Sequence, residues 1–292
     1  MLSTLRDEIG RARELGVAVG AFNVYNMEMA KGAIQAAASL SAPLFLQSNF
    51  ANLEAAGSQS FVAYLKELAK EADVPAAIHL DHGKSVDEVA WAIDQGFTSV
   101  MFDGSSLAFD ENIAITREVV RLARAAGVTV EGELGAVVGD EDRALEYVEH
   151  GATPQAFTDP DQAAHFVAAT GVDILAVAVG NVHGHYRGEP NLDFERLRDI
   201  HRKTGVPLAL HGASGLSAAD LQQAARLGVV KVNFNTDLRQ AYVDGMSAWL
   251  SEDEGQLDFA KLRTRLVEPV AEVVSQRLTW MGWRPGLFHS SA

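Results

Sequence analysis

One repeating unit decides the fold, and it is clearest in residues 76–102, which read AAIHLDHGKSVDEVAWAIDQGFTSVMF. The apolar run Ala76–Leu80 predicts a buried strand, and the amphipathic stretch Val86–Asp94 predicts a helix. A serine stands at the N-cap of this helix, and a glycine follows it where the chain must turn. A second apolar run, Ser99–Phe102, comes next. Strand, helix and strand in this order predict a βα unit of a parallel sheet.

The same alternation covers most of the chain and predicts eight strands. The predicted strands are Val17–Val24, Pro43–Ser48, Ala76–Leu80, Ser99–Phe102, Val128–Glu133, Ile174–Val179, Pro207–Leu210 and Val229–Phe234. The predicted helices are Met27–Ser39, Phe61–Glu71, Val86–Asp94, Asn112–Ala126, Pro160–Thr170, Phe194–Lys203, Ala218–Arg226 and Thr236–Leu250. Eight such units predict an α/β fold of the (β/α)8 TIM-barrel type over about residues 17–250.

Two further segments complete the predicted organisation. An additional helix is expected over Asp258–Met281, so the barrel and a C-terminal helical extension, about residues 258–292, form one domain of 292 residues. The segment Gly135–Thr158 is too long and too polar for a tight turn, and it predicts a mobile loop over the active site.

The composition narrows the classes of partner. A net charge of -15 opposes binding to nucleic acid and to anionic membranes, so small metabolites are the expected partners. The chain has no cysteine, so any metal must be held by His, Asp or Glu. There is no apolar run of membrane-spanning length and no signal peptide, which makes the cytoplasm the expected location.

Chemically versatile residues follow the predicted strands, and a barrel gathers such positions on one rim. These residues are Asp81, His82, Asp103, Glu133, His183 and His211. Three histidines with an open fourth position suit a catalytic zinc ion, with the carboxylates left for proton transfer or a second cation. The small residues after the last two strands, Gly212–Gly215 and Asn233–Thr236, predict a phosphate site before helix N-termini.

Several of these residues also have simpler interpretations. Asp81 could cap the helix that begins near Ser85, Asp103 could serve a turn before a glycine, and Glu133 could be a polar plug in the barrel mouth. His185 forms a His-x-His pattern with His183, but the intervening glycine favours a turn.

With these motifs in view, the sequence resembles the class II, metal-dependent fructose-bisphosphate and tagatose-bisphosphate aldolases. The likeness extends from Gly20 to about Asp237. Its strongest blocks are His79-Leu80-Asp81-His82-Gly83, Glu131-Gly132-Glu133-Leu134-Gly135, Gly180-Asn181-Val182-His183-Gly184, His211-Gly212-Ala213-Ser214-Gly215 and Lys231-Val232-Asn233.

The resemblance implies an enzyme that reversibly cleaves a ketose 1,6-bisphosphate, or a related ketose 1-phosphate, to dihydroxyacetone phosphate and an aldehyde. It implies a zinc ion on His82, His183 and His211. Asp103 and Glu133 match residues that bind or steer a second metal, which could be a divalent or monovalent cation.

The resemblance also implies two acid–base residues. Asp81 matches the group that takes the C4 hydroxyl proton in cleavage and returns it in condensation. The second carboxylate, on the loop after the fifth strand, exchanges the proton on the enediolate carbon and is matched by Glu141. Asp140 is the alternative, because adjacent acids leave the register open.

Substrate contacts are implied in the same way. The residues matched to the C1 phosphate and the neighbouring carbons are Gly184, Gly212, Ser214, Asn233 and Thr236. Asn235 stands where Asp or Ala distinguishes fructose-type from tagatose-type members, and Arg239 matches a distal-phosphate arginine in some of them. A serine often found near the end of the second strand is displaced here, in Gln47-Ser48-Asn49. The distal group of the substrate therefore stays open.

Two alternatives belong to other classes of protein. A noncatalytic, aldolase-like partner subunit would not need the complete set of site residues that this chain carries. A barrel metallohydrolase usually takes a His-x-His pair from its first strand, whereas this one ends in Phe22-Asn23-Val24. The family and the extra helix also lead us to expect a homo-oligomer, a dimer or a tetramer.

Overall fold

The structure is a computed structural model that describes residues 1–139, 147–148, 156–186, 189–252 and 257–288. Within these ranges the strands are β1 (Val19–Asn23), β2 (Leu44–Ser48), β3 (Ala76–Gly83), β4 (Ser99–Phe102), β5 (Thr129–Leu134), β6 (Tyr147–Val148), β7 (Ile174–Val177), β8 (His185–Tyr186), β9 (Leu208–Leu210) and β10 (Val229–Phe234). The helices are α1 (Arg6–Leu15), α2 (Met27–Ser39), α3 (Phe50–Ala55), α4 (Ser58–Glu71), α5 (Val86–Gln95), α6 (Phe109–Ala126), α7 (Pro160–Thr170), α8 (Phe194–Thr204), α9 (Ala218–Arg226), α10 (Thr236–Leu250) and α11 (Phe259–Trp280).

Eight of the described strands form a closed parallel barrel, in the order β1-β10-β9-β7-β5-β4-β3-β2. These are the eight strands predicted from the sequence, so the TIM-barrel prediction is confirmed. Their residues are buried because the strands face side chains inside the barrel on one side and the surrounding helices on the other. The parallel arrangement brings the carboxyl ends of all eight strands, and the loops after them, to one rim.

The additional C-terminal helix packs on the barrel's own helices. α11 lies against α2 and α10, and its approach to α2 is close. A Cβ atom added to Gly32 of α2 would lie 2.9 Å from the carbonyl oxygen of Val267, so a larger residue there would push the helices apart. Beyond α11, Trp283 is buried and donates its indole N–H to the carbonyl of Ala18, 2.6 Å away. The assignment of all 292 residues to one domain stays a prediction.

Several features of the described chain differ from the expectations. Helices α1 and α3 were not predicted, because α1 is highly charged and α3 has only six residues. His185 lies in β8, a two-residue strand paired with β6, where a turn was favoured. This pairing joins the connection after β5 to the loop after β7. Within the described residues, no helix is both long enough and apolar enough to cross a membrane.

Candidate active site

The end of β3 is irregular, and this irregularity brings two adjacent side chains into the site. In a regular strand, neighbours such as Asp81 and His82 would point to opposite faces. Here the register of β3 against β4 shifts between Leu80 and Gly83, and His82 adopts a φ of 47°. Such left-handed backbone is costly for a residue with a Cβ atom and is concentrated at functional sites.

The three predicted histidines come together at the rim. One ring nitrogen from each of His82, His183 and His211 lies within 4.8 Å of the others. The His82 ring centroid is 4.7 Å from that of His211 and 5.3 Å from that of His183. His183 reaches this position on the loop after β7, where its backbone N–H donates to the carbonyl of Val138, 2.8 Å away.

Two carboxylates orient two of these rings. Asp103 lies 2.9 Å from Nδ1 of His82, and Glu131 lies 2.7 Å from Nε2 of His211. Since a carboxylate accepts, these nitrogens carry the protons, and Nε2 of His82 and Nδ1 of His211 are left as lone-pair donors. Those two atoms face each other at 3.0 Å. Facing lone pairs repel unless a cation lies between them, so the donor set fits a metal ion, with the carboxylates fixing the tautomers.

The protonation states agree with this arrangement. Burial is the main cause that lowers the pKa of both His183 and His211 well below the ordinary value. Both rings are therefore neutral near pH 7, as a metal ligand must be.

Asp81 is fully buried beside the histidines and is held by amides. Its Oδ2 accepts from Asn23 Nδ2 at 2.8 Å and from Gln47 Nε2 at 3.1 Å, and its Oδ1 accepts from Asn233 Nδ2 at 3.3 Å. The helix cap that Asp81 might have formed is made by Ser85, which accepts from the N–H of Glu88. Asp81 therefore lies beside the histidine cluster and does not serve as the helix cap.

The pKa of Asp81 stays below its ordinary value in spite of burial. Burial alone would raise the pKa, but the neighbouring rings of His82 and His211, the Lys231 ammonium and the hydrogen bond from Asn23 together outweigh it. Asp81 is therefore ionised near neutral pH and able to accept a proton.

Asp103 and Glu133 lie next to His82 but differ in charge state. Burial would raise the pKa of Asp103, yet hydrogen bonds from His82, Lys84 and Ser105 hold it well below the ordinary range. Asp103 Oδ1 also accepts from the backbone N–H of Ser105, so the turn expected there is present as well. For Glu133, burial and the charge of Asp103 raise the pKa to about 8. Its Oε2 lies 3.6 Å from His82 Nδ1.

A narrow pocket adjoins the histidines on the side of β9 and β10. Its lining contains all the residues matched to the C1 phosphate, namely Gly184, Gly212, Ser214, Asn233 and Thr236. Gly212 has a φ of 61°, and a Cβ atom there would lie 2.1 Å from the carbonyl oxygen of Val182. Only glycine fits this loop, which brings its backbone beside the N-terminus of α10.

Tyr25 connects Asn235 of this pocket to Arg239. Asn235 lines the pocket and accepts a hydrogen bond from the Tyr25 hydroxyl at 2.8 Å. The guanidinium of Arg239 lies over the Tyr25 ring, 5.4 Å from its centroid. The structure thus brings every described residue of the predicted site to one rim, whereas Asp140 and Glu141 lie outside the described residues.

Comparison with known families agrees with this geometry. The family model described as fructose-bisphosphate aldolase class-II matches residues 3–284. The chain belongs to this family, whose members are carbon–carbon lyases.

Individual relatives support the assignment. A probable fructose-bisphosphate aldolase of Bacillus subtilis (strain 168) is 39% identical over 284 residues, which cover 96% of this chain and 98% of the relative. The crystal structure of the YdjI aldolase from Escherichia coli K12 has a TM-score of 0.86 at 34% identity, covering 97% of this chain and 98% of that one. That of a putative fructose-1,6-biphosphate aldolase from Coccidioides immitis has a TM-score of 0.84 at 30% identity and covers 94% of each chain.

A buried charge network that was not predicted from the sequence contacts the candidate active site. Lys231 and Glu131 are both fully buried inside the barrel and form an ion pair at 2.8 Å. Lys231 also donates to Asn233 Oδ1 at 2.8 Å, while Glu131 binds His211. The network thereby connects the barrel interior to a metal-ligand candidate and to an amide that holds Asp81.

We expect K231M to lower the free energy of unfolding by roughly 3–5 kcal/mol, because it leaves the buried carboxyl group of Glu131 without its ammonium partner. Urea unfolding in chelator should show the loss, so that metal binding does not contribute. K70M removes the exposed Lys70–Glu67 pair and should cost no more than about 1 kcal/mol. Equal losses in the two variants would contradict a structural role for Lys231.

Proposed function

We propose that this aldolase is zinc-dependent and cleaves a ketose 1-phosphate or 1,6-bisphosphate of the fructose or tagatose type, giving dihydroxyacetone phosphate and an aldehyde. The observation that carries the proposal is the convergence of three imidazoles beside the buried, ionised Asp81. A narrow pocket lined by the residues matched to the C1 phosphate adjoins them.

His82, His183 and His211 would hold the zinc ion. Three nitrogen ligands with an open position are typical of catalytic zinc, and the chain has no thiolate to offer. The bound ion would supply positive charge that stabilises the negative charge developing on the ketone oxygen. Glu131 and Asp103 would keep the His211 and His82 rings in the ligating tautomers.

Asp81 would act on the substrate hydroxyl at C4. In cleavage its carboxylate takes the hydroxyl proton, the C3–C4 bond breaks, and the electron pair of that bond remains with the dihydroxyacetone phosphate half as an enediolate. Asn23, Gln47 and Asn233 keep the carboxylate oriented. In condensation the same proton returns to the new hydroxyl group.

A second acid must then protonate the enediolate carbon. We assign this step to Glu141, with Asp140 as the alternative, on the basis of the family match. The preceding residue in the described chain, Gly139, lines the cavity that contains His82 and His183. The chain therefore enters the segment with the two candidate acids from a point beside two of the proposed metal ligands.

The ends of the substrate would be bound by different groups. Gly184, Gly212, Ser214 and Thr236 would bind the C1 phosphate with backbone amides and hydroxyls at the N-terminus of α10. Arg239, held over Tyr25, is the candidate for the distal phosphate or another distal anion. The homo-oligomeric state and the cytoplasmic location stay predictions.

Retro-aldol assays on a panel of ketose 1-phosphates and 1,6-bisphosphates test this proposal. Dihydroxyacetone phosphate release should disappear with chelator and return with zinc, and the best substrate would identify the distal group. Phosphate release without triose phosphate would indicate a metallohydrolase. A protein that binds no metal and cleaves nothing would indicate a noncatalytic partner subunit.

A further inference from the structure

A lysine lies at the second of the two possible metal positions in the described residues. One such group is the histidine cluster, and the other consists of His82, Asp103 and Glu133. Lys84 follows His82 by two residues, lines the cavity beside both groups, and donates a short hydrogen bond to Asp103 Oδ2. The ammonium is therefore already in contact with a carboxylate that a second cation would need.

The hydrogen bonds of Asp103 occupy both of its oxygens. Oδ1 accepts from the backbone N–H of Ser105 at 3.0 Å and from its hydroxyl at 2.6 Å. Oδ2 accepts from His82 Nδ1 at 2.9 Å and from Lys84. A carboxylate has about four lone-pair positions, so none is left for a metal ion unless a donor leaves.

Of these donors, Lys84 is the one whose removal would open the position. Ser105 donates partly through its backbone N–H, which a side-chain substitution would not remove. His82 is itself one of the proposed metal ligands. The Lys84 side chain is 62% exposed and reaches Asp103 from the cavity. On the other side of the group, Glu133 Oε2 has no hydrogen-bond partner among the described residues. Without the ammonium, this oxygen and Asp103 Oδ2 would be available together.

We propose that the Lys84 ammonium takes the place of a second cation at Asp103 and Glu133, so that this aldolase binds one divalent metal ion. The proposal rests on the proposed histidine metal site. Lys84 supplies the positive charge that Asp103 requires, and Asp103 remains in place to accept the hydrogen bond from His82 Nδ1. The second cation implied by the family resemblance is then unnecessary in this chain.

Metal stoichiometry tests the proposal without relying on activity. Purified full-length proteins would be stripped with chelator, titrated with Zn²⁺ by calorimetry, and analysed for bound metal by mass spectrometry after dialysis. Wild type should bind one equivalent of Zn²⁺ and K84M two. Any binding of a second ion by wild type should be at least tenfold weaker than in K84M. K84R keeps the charge and should bind one. K84M/E133Q should also return to one, because it removes a ligand of the new site but leaves the Asp103–His82 bond.

The matched control is K203M, which removes a lysine–aspartate pair with Asp161 on the outside of the barrel and should bind one equivalent. One equivalent in both wild type and K84M would overturn the role of Lys84 and leave the proposed function standing. Two equivalents in wild type would also overturn it. Binding of no metal by wild type would overturn both proposals. If K84M binds a second equivalent but wild type releases no triose phosphate from any substrate, this inference is supported and the proposed aldol cleavage is contradicted.

Discussion

H183A is expected to lose its bound metal and on the order of 10³-fold or more of its cleavage rate. The loss of rate should be this large because a Lewis acid contributes several kcal/mol of transition-state stabilisation, and each 1.36 kcal/mol is about tenfold in rate. His183 is the best of the three ligand candidates to remove. H82A and H211A would each take a partner from a buried carboxylate, Asp103 or Glu131, whereas H183A leaves both pairs intact.

The measurement should separate metal loss from unfolding. Bound zinc, the turnover number and thermal stability in chelator would be compared for wild type, H183A and H165A. His165 is exposed and lies beside Phe109, away from the cluster, so H165A should keep metal and activity. We expect H183A and wild type to melt at similar temperatures once the metal is removed from both. If H183A retains one equivalent of zinc, the histidine cluster is not the metal site.

The barrel could be predicted because its signals are local and repeated. Each strand is a short apolar run with a helix after it, and α2, α7, α9 and α10 have the predicted bounds. The differences occur where tertiary contacts decide. Strand β3 continues through Asp81, His82 and Gly83, which a polar sequence does not suggest, because the barrel closes around them. No feature of the sequence indicates the register shift of β3, although this shift brings the side chains of both Asp81 and His82 into the site.

The predicted site was the set of polar residues after the strands, since topology alone brings those positions together. Its supporting groups lie deeper. Glu131 and Lys231 lie within strands β5 and β10. A charged residue in a strand sequence does not indicate which charge on another strand it pairs with inside the barrel. Asn23 is the last residue of β1 and Gln47 the last but one of β2, and neither has a role that the sequence alone indicates. Their amides face Asp81, which follows from the order of the strands and not from sequence spacing.

D81N is expected to lower cleavage by about 10²–10⁴-fold, the usual contribution of a positioned general acid–base group. An amide cannot take the C4 hydroxyl proton, so the loss should appear mainly in the turnover number. Bound zinc should stay at the wild-type level, because Asp81 is not one of the proposed ligands. The three amides that donate to Asp81 would meet one NH₂ group in the variant, and a thermal melt would show whether the fold tolerates this.

Proton exchange on dihydroxyacetone phosphate separates a catalytic role of Asp81 from general damage to the site. This product has no C4 hydroxyl, so exchange of its C3 proton with solvent requires the metal site and the loop acid but not Asp81. D81N should therefore exchange this proton at close to the wild-type rate while failing to cleave the ketose. E141Q should lose exchange and cleavage together, with D140N as its matched control. If D81N loses exchange as severely as cleavage, Asp81 organises the metal site or serves both proton transfers, and its assignment to the C4 hydroxyl is wrong.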